Sequence, residues 1–192
     1  MLKSNGGLIF VFLLISSCAT KKKIDPKTKF PTDYGFTFQL PFKGDWYQGK
    51  ADFYLFGTGP ESDGSSTLAE VRHGPIFESD EYHRPDPKTL KDVFEPSLRR
   101  KTPQDKVDIH KTEVLYRPFK NTACLFFKQV GNERSTKLKL NYNGIVCLHP
   151  RDGNKYIWMA VSQRKPADKP FENLTAQEMA FFESLTFERL EE

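Results

Sequence analysis

The sequence contains little sulfur, no long apolar segment and no common catalytic motif. Its 192 residues include three cysteines, three methionines and two tryptophans, with 12 glycines and 13 prolines. These glycine and proline counts exclude a collagen-like or low-complexity chain. No apolar run approaches the roughly 20 residues that a membrane-spanning helix needs. The G-x-S-x-G, Walker and G-x-G-x-x-G patterns are also missing, so no motif indicates an enzyme class.

The charges are nearly balanced. Lys and Arg number 29 against 25 Asp and Glu, which gives a formal net charge of +4. A nucleic-acid interface needs a clustered excess of positive charge, so we expect no nucleic-acid partner. The 17 phenylalanines provide enough apolar area for a packed core, and the length predicts one domain.

The N-terminus has the layout of an export signal. Lys3 precedes the apolar run Leu8–Ile15, and the small residues Ser16-Ser17 separate this run from Cys18. The run has the length of a signal-peptide core. The segment Leu14–Cys18 resembles the lipobox of bacterial lipoproteins, in which cleavage occurs just before the cysteine and the cysteine is acylated. The alternatives are an ordinary secretory signal with a chance cysteine and a short buried helix.

The lipobox resemblance implies a location. Residues 1–17 would be a signal peptide, and Cys18 would anchor the mature chain in a bacterial envelope through acyl chains such as palmitate. Stable anchoring takes more than one chain. Ala19 stands where enteric-type bacteria use Asp to retain lipoproteins in the inner membrane, so Ala19 implies the outer membrane, facing the periplasm. Residues 18–32 are lysine-rich and contain two prolines, which predicts a flexible tether.

Seven segments of the remaining chain, residues 33–192, have the pattern of β-strands. Turn signals at Gly131-Asn132 and Asp152-Gly153-Asn154 separate some of them, and Asn143-Gly144 is a further candidate turn. Together with two helices they predict an α+β domain, with a twisted, mostly antiparallel sheet of about seven strands and both helices packed on it. The strand segments are 36–40, 51–56, 67–73, 107–117, 122–130, 137–148 and 155–163.

Two helices are predicted from spacing and capping signals. The N-cap of the first is either Thr89 or Asp86, and Pro96 is expected to kink or end it. The second begins at Thr175, because Thr175 and Glu178 fit a capping box. The apolar face of the first helix consists of Leu90, Val93, Phe94 and Leu98.

The order of elements from Phe36 to Phe187 resembles that of the PsbP-like proteins. The shared features are an early strand run with a tryptophan, here Trp46, a mid-chain helix, a long β-meander from Val107 to Gln163, and a closing helix. The resemblance implies the same α+β fold, but a shared fold does not fix the chemistry.

Cys124 and Cys147 are the two cysteines left once Cys18 is lipidated. Exported proteins meet an oxidising compartment, which predicts a disulfide between them. Two buried free thiols are the alternative. A third interpretation adds His149 to form a Cys-Cys-His metal site, although the three residues lack the C-x-x-C spacing of such sites.

The segment from residue 73 to residue 86 collects potential metal ligands. Its pattern matches neither H-E-x-x-H nor the EF-hand loop, so a solvated acidic loop is the favoured interpretation, and we expect no cofactor. The candidate metal ligands are His73, Asp80 and His83, with Glu78, Glu81 and Asp86 nearby.

Aromatic pairs form another candidate site, since they can stack on a sugar ring or a peptide. Their spacing along strands favours core positions instead. These residues are Trp46, Tyr47, Phe53, Tyr54, Tyr156 and Trp158.

Three functional hypotheses follow. The leading one is a lipid-anchored, non-enzymatic protein that supports the cell envelope or binds a protein or polymer partner there. The alternatives are a lipid-anchored hydrolase acting on peptidoglycan or another envelope polymer, and a lipoprotein that binds a small ligand or a metal.

Overall fold

The structure is a computed structural model that describes residues 23–25, 27–32, 35–40, 46–48, 54–58, 60–77, 86–99 and 106–187. The expected signal peptide and Cys18 lie outside these residues. Within the described part, every helix is too short or too polar to cross a membrane.

The described residues form an α+β domain with two antiparallel sheets, which confirms the predicted fold class. The strands are β1 Lys23–Ile24, β2 Phe30–Pro31, β3 Phe36–Phe38, β4 Trp46–Gln48, β5 Tyr54–Thr58, β6 Ser66–Pro75, β7 Val107–Phe119, β8 Thr122–Glu133, β9 Lys139–His149, β10 Asp152–Lys165 and β11 Thr186–Phe187. The main sheet has eight strands in the order β1-β4-β5-β6-β10-β9-β8-β7, and the small sheet has the order β11-β3-β2. The prediction of one sheet with about seven strands missed the small sheet.

The folded part begins inside the segment that the sequence assigns to the tether. Strand β1 pairs with β4, and the side chain of Ile24 is buried. The ring of Phe30 stacks on Phe38 at 5.2 Å and tilts against Phe56 at 4.9 Å. The predicted boundary at residue 33 is therefore too late, because two apolar side chains that lie among the tether lysines in the sequence pack into the core.

The main sheet buries both of its faces. On β10, Ile157 and Met159 point to one face, and Trp158 and Ala160 point to the other, as strand alternation requires. The first face is covered by the small sheet and by helix α3, Thr175–Glu183. The second is covered by a helical segment of three parts: α1 Pro87–Thr89, a π-helical turn Leu90–Phe94 and α2 Glu95–Arg99.

The α1–α2 segment decides between the two predicted N-caps and shows that Pro96 does not end the first helix. Asp86 is its N-cap, since its carboxylate accepts a hydrogen bond from the Lys88 amide at 2.9 Å. Pro96 does not end the helix, which continues to Arg99. The π-helical turn just before it, closed by the Glu95 amide bonding to the Leu90 carbonyl, absorbs the conflict of a proline with the preceding turn.

Two candidate turns lie inside strands. Gly131-Asn132 belongs to β8, and the chain turns only after Glu133. Asn143-Gly144 belongs to β9, so this candidate turn does not form and the strand is continuous, as the predicted segment 137–148 has it. Packing explains the second glycine, because a Cβ on Gly144 would lie only 2.7 Å from the Met159 carbonyl oxygen and would also overlap the Phe127 ring.

Candidate functional site

The cysteine pair forms the expected disulfide and excludes the metal site suggested for it. Cys124 on β8 faces Cys147 on β9 directly, with their Cα atoms 4.2 Å apart. Both sulfurs are bonded to each other and are not available as thiolate ligands. His149 is buried, and its ring lies edge-on to Phe187 at 5.4 Å. This burial lowers the pKa of His149.

The described metal candidates of residues 73–86 have other contacts. The His73 ring lies 5.7 Å from that of Phe36 and 6.1 Å from that of Tyr54. Asp86 caps α1. Asp80, His83, Glu78 and Glu81 lie outside the described residues. Within the described part, no three His, Cys, Asp or Glu side chains come together as a metal site.

The described aromatic residues belong to the core, as their spacing indicated. Trp46 is fully buried, and Trp158 is buried on the opposite face of the sheet. Tyr54 packs against Phe38, and Tyr156 packs against Phe94 at 5.0 Å. Phe53 and the side chain of Tyr47 lie outside the described part.

A groove of about 450 Å³ opens between α3 and the outer strands of the main sheet. Its volume lies in the range of small-molecule sites. Residues from β7 and β8 form its floor, and residues of α3 form one wall. The lining side chains that carry the argument below are Glu113, Leu115, Phe126, Lys128, Asn143 and Glu178.

The groove exists because α3 covers only part of the sheet. Strands β7 and β8 are covered on one face by the α1–α2 segment, where the Tyr116 hydroxyl bonds to Glu95. A bulge between Ile109 and Lys111 shifts the alternation of β7. The shift places Leu115 on the groove face, where its side chain is 58% exposed, the largest value among the described large apolar residues.

The floor also holds a stacked cation. The guanidinium of Arg117 lies 3.9 Å from the centre of the Phe126 ring, and Phe119 packs edge-on against the same ring. Phe126 is opposite Leu115 in the β7–β8 register. These residues form a partly apolar surface along the strand direction.

The wall of the groove carries a buried carboxylate. Glu178 on α3 is 9% exposed, and its Oε1 accepts a hydrogen bond from Asn143 Nδ2 at 2.9 Å. Burial raises the pKa of Glu178. The Asn143 Oδ1 atom is also buried, and it has no hydrogen-bond partner among the described residues. Two acceptors therefore share one end of the groove.

Two lysines place positive charge beside the carboxylates that line the groove. Lys128 lies near enough to Glu178 to oppose the rise in its pKa. Glu113 pairs with Lys111 at 2.5 Å, an exposed contact that lowers the pKa of Glu113. Glu178 forms no ion pair within the described part, although it is the most buried carboxylate lining the groove.

A separate polar network lies on the opposite face, under the α1–α2 segment. Glu70 accepts hydrogen bonds from the Tyr142 hydroxyl and from Trp158 Nε1, the latter at 3.1 Å, and it pairs with Arg72 at 3.0 Å. Burial is the main reason that the pKa of Tyr142 is raised well above its usual value. Glu70, Tyr142 and Trp158 are hydrogen-bonded to one another in this network, which indicates a structural role.

The sequence did not single out the two acceptors. The sequence predicts a capping box that includes Glu178, but the N-cap of α3 is Leu174, and the Glu178 side chain points to β9 instead. For Asn143 the sequence offers a turn. The available signal was alternation, because Asn141 and Asn143 place polar groups on a face that Ile145 and Cys147 bury further along β9. Comparison of the chain with known protein families and with curated proteins produced no match.

Proposed function

We propose that this protein is a lipid-anchored component of a bacterial envelope that binds a partner through the groove beside α3 and carries out no catalysis. The anchor is Cys18, and the expected location is the outer membrane, facing the periplasm. The lipobox resemblance of Leu14–Cys18 supports the location, and the PsbP-like order of elements is consistent with the fold.

The observation that carries the binding role is the exposure of Leu115 on the floor of a groove. An apolar side chain exposed alone needs no explanation. Leu115 instead adjoins Phe126 and the wall of α3, so an occupant would bury a continuous surface.

The anchor would strengthen weak binding at this groove. A tethered domain meets other envelope components at a high effective concentration, so modest contacts suffice for occupancy. The folded part begins by Lys23, within a few residues of Cys18, so the domain would lie close to the membrane surface.

Site-specific photocrosslinking in living cells tests the proposal. A photoreactive amino acid replaces Leu115, and a matched control places it at Ser135, an exposed position in the turn after β8. We expect a discrete crosslinked species from position 115 that is absent at position 135 and is lost when Phe126→Glu is added. Equal crosslinking at both positions would contradict the proposal.

An enzymatic assay tests the rival hypothesis directly. Purified protein is incubated with peptidoglycan, and released fragments are measured by chromatography. Fragment release by the wild type that disappears in Glu178→Gln, with the fold intact, would replace the binding proposal with the hydrolase alternative.

A further inference from the structure

We propose that the groove beside α3 takes an extended peptide segment and that its Glu178–Asn143 end binds a lysine or arginine side chain of that segment. This inference rests on the proposed function and names the chemistry of the partner. It concerns a protein or peptide partner, in which a basic side chain lies two positions from an apolar one.

The first argument is a mismatch between acceptors and donors. Glu178 receives one described hydrogen bond, from Asn143 Nδ2, and Asn143 Oδ1 receives none among the described residues. A buried acceptor without a donor costs free energy, and a buried carboxylate costs more. An ammonium or guanidinium group supplies several donors and a compensating charge. Among the described residues, no basic side chain bonds to Glu178 or to Asn143 Oδ1, and such a side chain is the group that would satisfy this end of the groove.

The second argument is the position of the apolar floor. A lysine or arginine buries its aliphatic stem along apolar surface while its charged head reaches a polar group. Phe182 lines the same groove as Glu178, so a stem can lie against its ring, whereas the Phe126 ring already carries the Arg117 guanidinium. The arrangement fits a long basic side chain better than a small cation, which needs no apolar floor.

The third argument is the spacing along β7. Glu113 and Leu115 are alternate residues of one strand, so their Cα atoms are about 6.7 Å apart along the strand and both side chains lie on the groove face. An extended peptide has the same spacing between its own alternate side chains. One side chain of the peptide can cover Leu115 while its neighbour two positions away reaches the Glu178–Asn143 end, where Glu113 also lines the groove.

Lys128 is the competing cation of the protein itself. It lies close enough to lower the pKa of Glu178, yet among the described residues it forms no ion pair with that carboxylate. If Lys128 were the natural partner of Glu178, its removal would change binding as much as the removal of Glu178. On our proposal, Lys128→Met leaves the affinity for a basic peptide equal or higher, because a like charge is removed.

Fluorescence anisotropy with two labelled peptides tests the inference. The probes are acetyl-Ala-Lys-Ala-Leu-Ala-amide and the same peptide with norleucine in place of lysine, which keeps the stem and removes the charge. The lipidated mature protein is used in neutral detergent micelles, with empty micelles as the blank. We expect wild type to bind the lysine peptide about tenfold more tightly, as hydrogen bonds to a charged group predict.

Two variants test whether Glu178 causes the preference for the lysine peptide. Glu178→Gln should reduce the preference for lysine to about one, whereas Glu183→Gln, an exposed carboxylate on the same helix, should retain it. Equal binding of the two peptides, no binding of either, or an unchanged preference in Glu178→Gln would each overturn the inference. Crosslinking from position 115 is independent of these results. The proposed function can therefore hold even if the Glu178–Asn143 end does not bind a basic side chain.

Discussion

Arg164 on β10 and Glu133 on β8 form an ion pair that reaches across β9. The Arg164 Nε atom lies 2.9 Å from Glu133 Oε1, and the two side chains are only 6% and 10% exposed. Thr136 donates a further hydrogen bond to the second carboxylate oxygen at 2.6 Å. The pair connects the end of β8, at the turn into β9, to β10, the strand that joins both halves of the main sheet.

Removing one member of this pair should be more harmful than removing both. Arg164→Met leaves Glu133 buried without its cation, and we expect a loss of about 3–5 kcal/mol in the free energy of unfolding. Glu133→Leu combined with Arg164→Met should recover most of that loss, since no charge is then buried. Urea denaturation measures all three proteins, and a double variant as unstable as the single one would contradict the expectation.

Glu178 should make stability depend on pH in the direction opposite to that of a salt-bridged acid. Its folded-state pKa is raised above the ordinary value of 4.5, so the folded state holds the proton more tightly than the unfolded state. Stability contributed by the protonated form is therefore lost as the pH rises from 4.5 through the folded-state pKa. Above that pKa the loss is complete.

The variant Glu178→Gln removes this dependence. We expect its stability relative to wild type to increase between pH 4 and pH 7, because glutamine accepts the Asn143 hydrogen bond without a charge. Thermal unfolding of both proteins over this pH range measures the difference. Glu183→Gln, which is exposed on the same helix, should show no such trend.

Gly144 should tolerate no side chain. A Cβ at this position would lie 2.7 Å from the Met159 carbonyl oxygen and would overlap the Phe127 ring, so Gly144→Ala forces strands apart. We expect a destabilisation of about 1–3 kcal/mol. Gly74→Ala is the matched control, since its Cβ would meet Tyr156 at an ordinary 3.5 Å. Equal effects of the two substitutions in urea denaturation would contradict the argument.

The sequence predicts a helix or strand correctly where a single local pattern, such as hydrophobic periodicity, is enough to determine it. The strands of the β7–β10 meander and the helix with Leu90 and Phe94 were found from periodicity. The sequence predicts that Pro96 kinks or ends the first helix, and the helix does not end there, because the π-helical turn adapts to the proline and tertiary packing keeps Leu98 buried beyond it.

The candidate site was not predictable for a different reason. Glu178 and Asn143 each match a local motif, a capping box and a turn, and their actual contact joins residues of two distant elements. The groove itself arises from the length of α3 relative to the sheet and from the bulge in β7. No local sequence pattern predicts how far α3 extends over the sheet or where β7 has its bulge.

The disulfide should contribute substantially to stability. Cys124 and Cys147 are separated by 23 positions, and closing a loop of this size predicts about 3 kcal/mol by the chain-entropy estimate. The double variant Cys124→Ser with Cys147→Ser should therefore unfold at lower urea than wild type. Alkylation of unreduced envelope-derived protein, measured by mass spectrometry, should modify neither residue. Two alkylated residues would contradict the disulfide in the exported protein.

Lipidation should depend on Cys18 alone. We expect a clickable fatty acid to label the wild type and the Cys124→Ser, Cys147→Ser double variant equally, because the lipobox resemblance assigns the acylated thiol to Cys18. Cys18→Ala should lose the label and leave the membrane fraction. Label retained by Cys18→Ala would show that the lipobox interpretation is wrong.

The strand order also implies a sequence of folding events. Strands β7, β8, β9 and β10 are joined in chain order by short connections, so their pairings close small loops. The pairing of β6 with β10 instead brings Leu68 opposite Ser162, across most of the domain. Small loops cost less entropy and close faster. The meander can therefore form first, and oxidation of Cys124 and Cys147 can trap it as a template on which the N-terminal strands assemble.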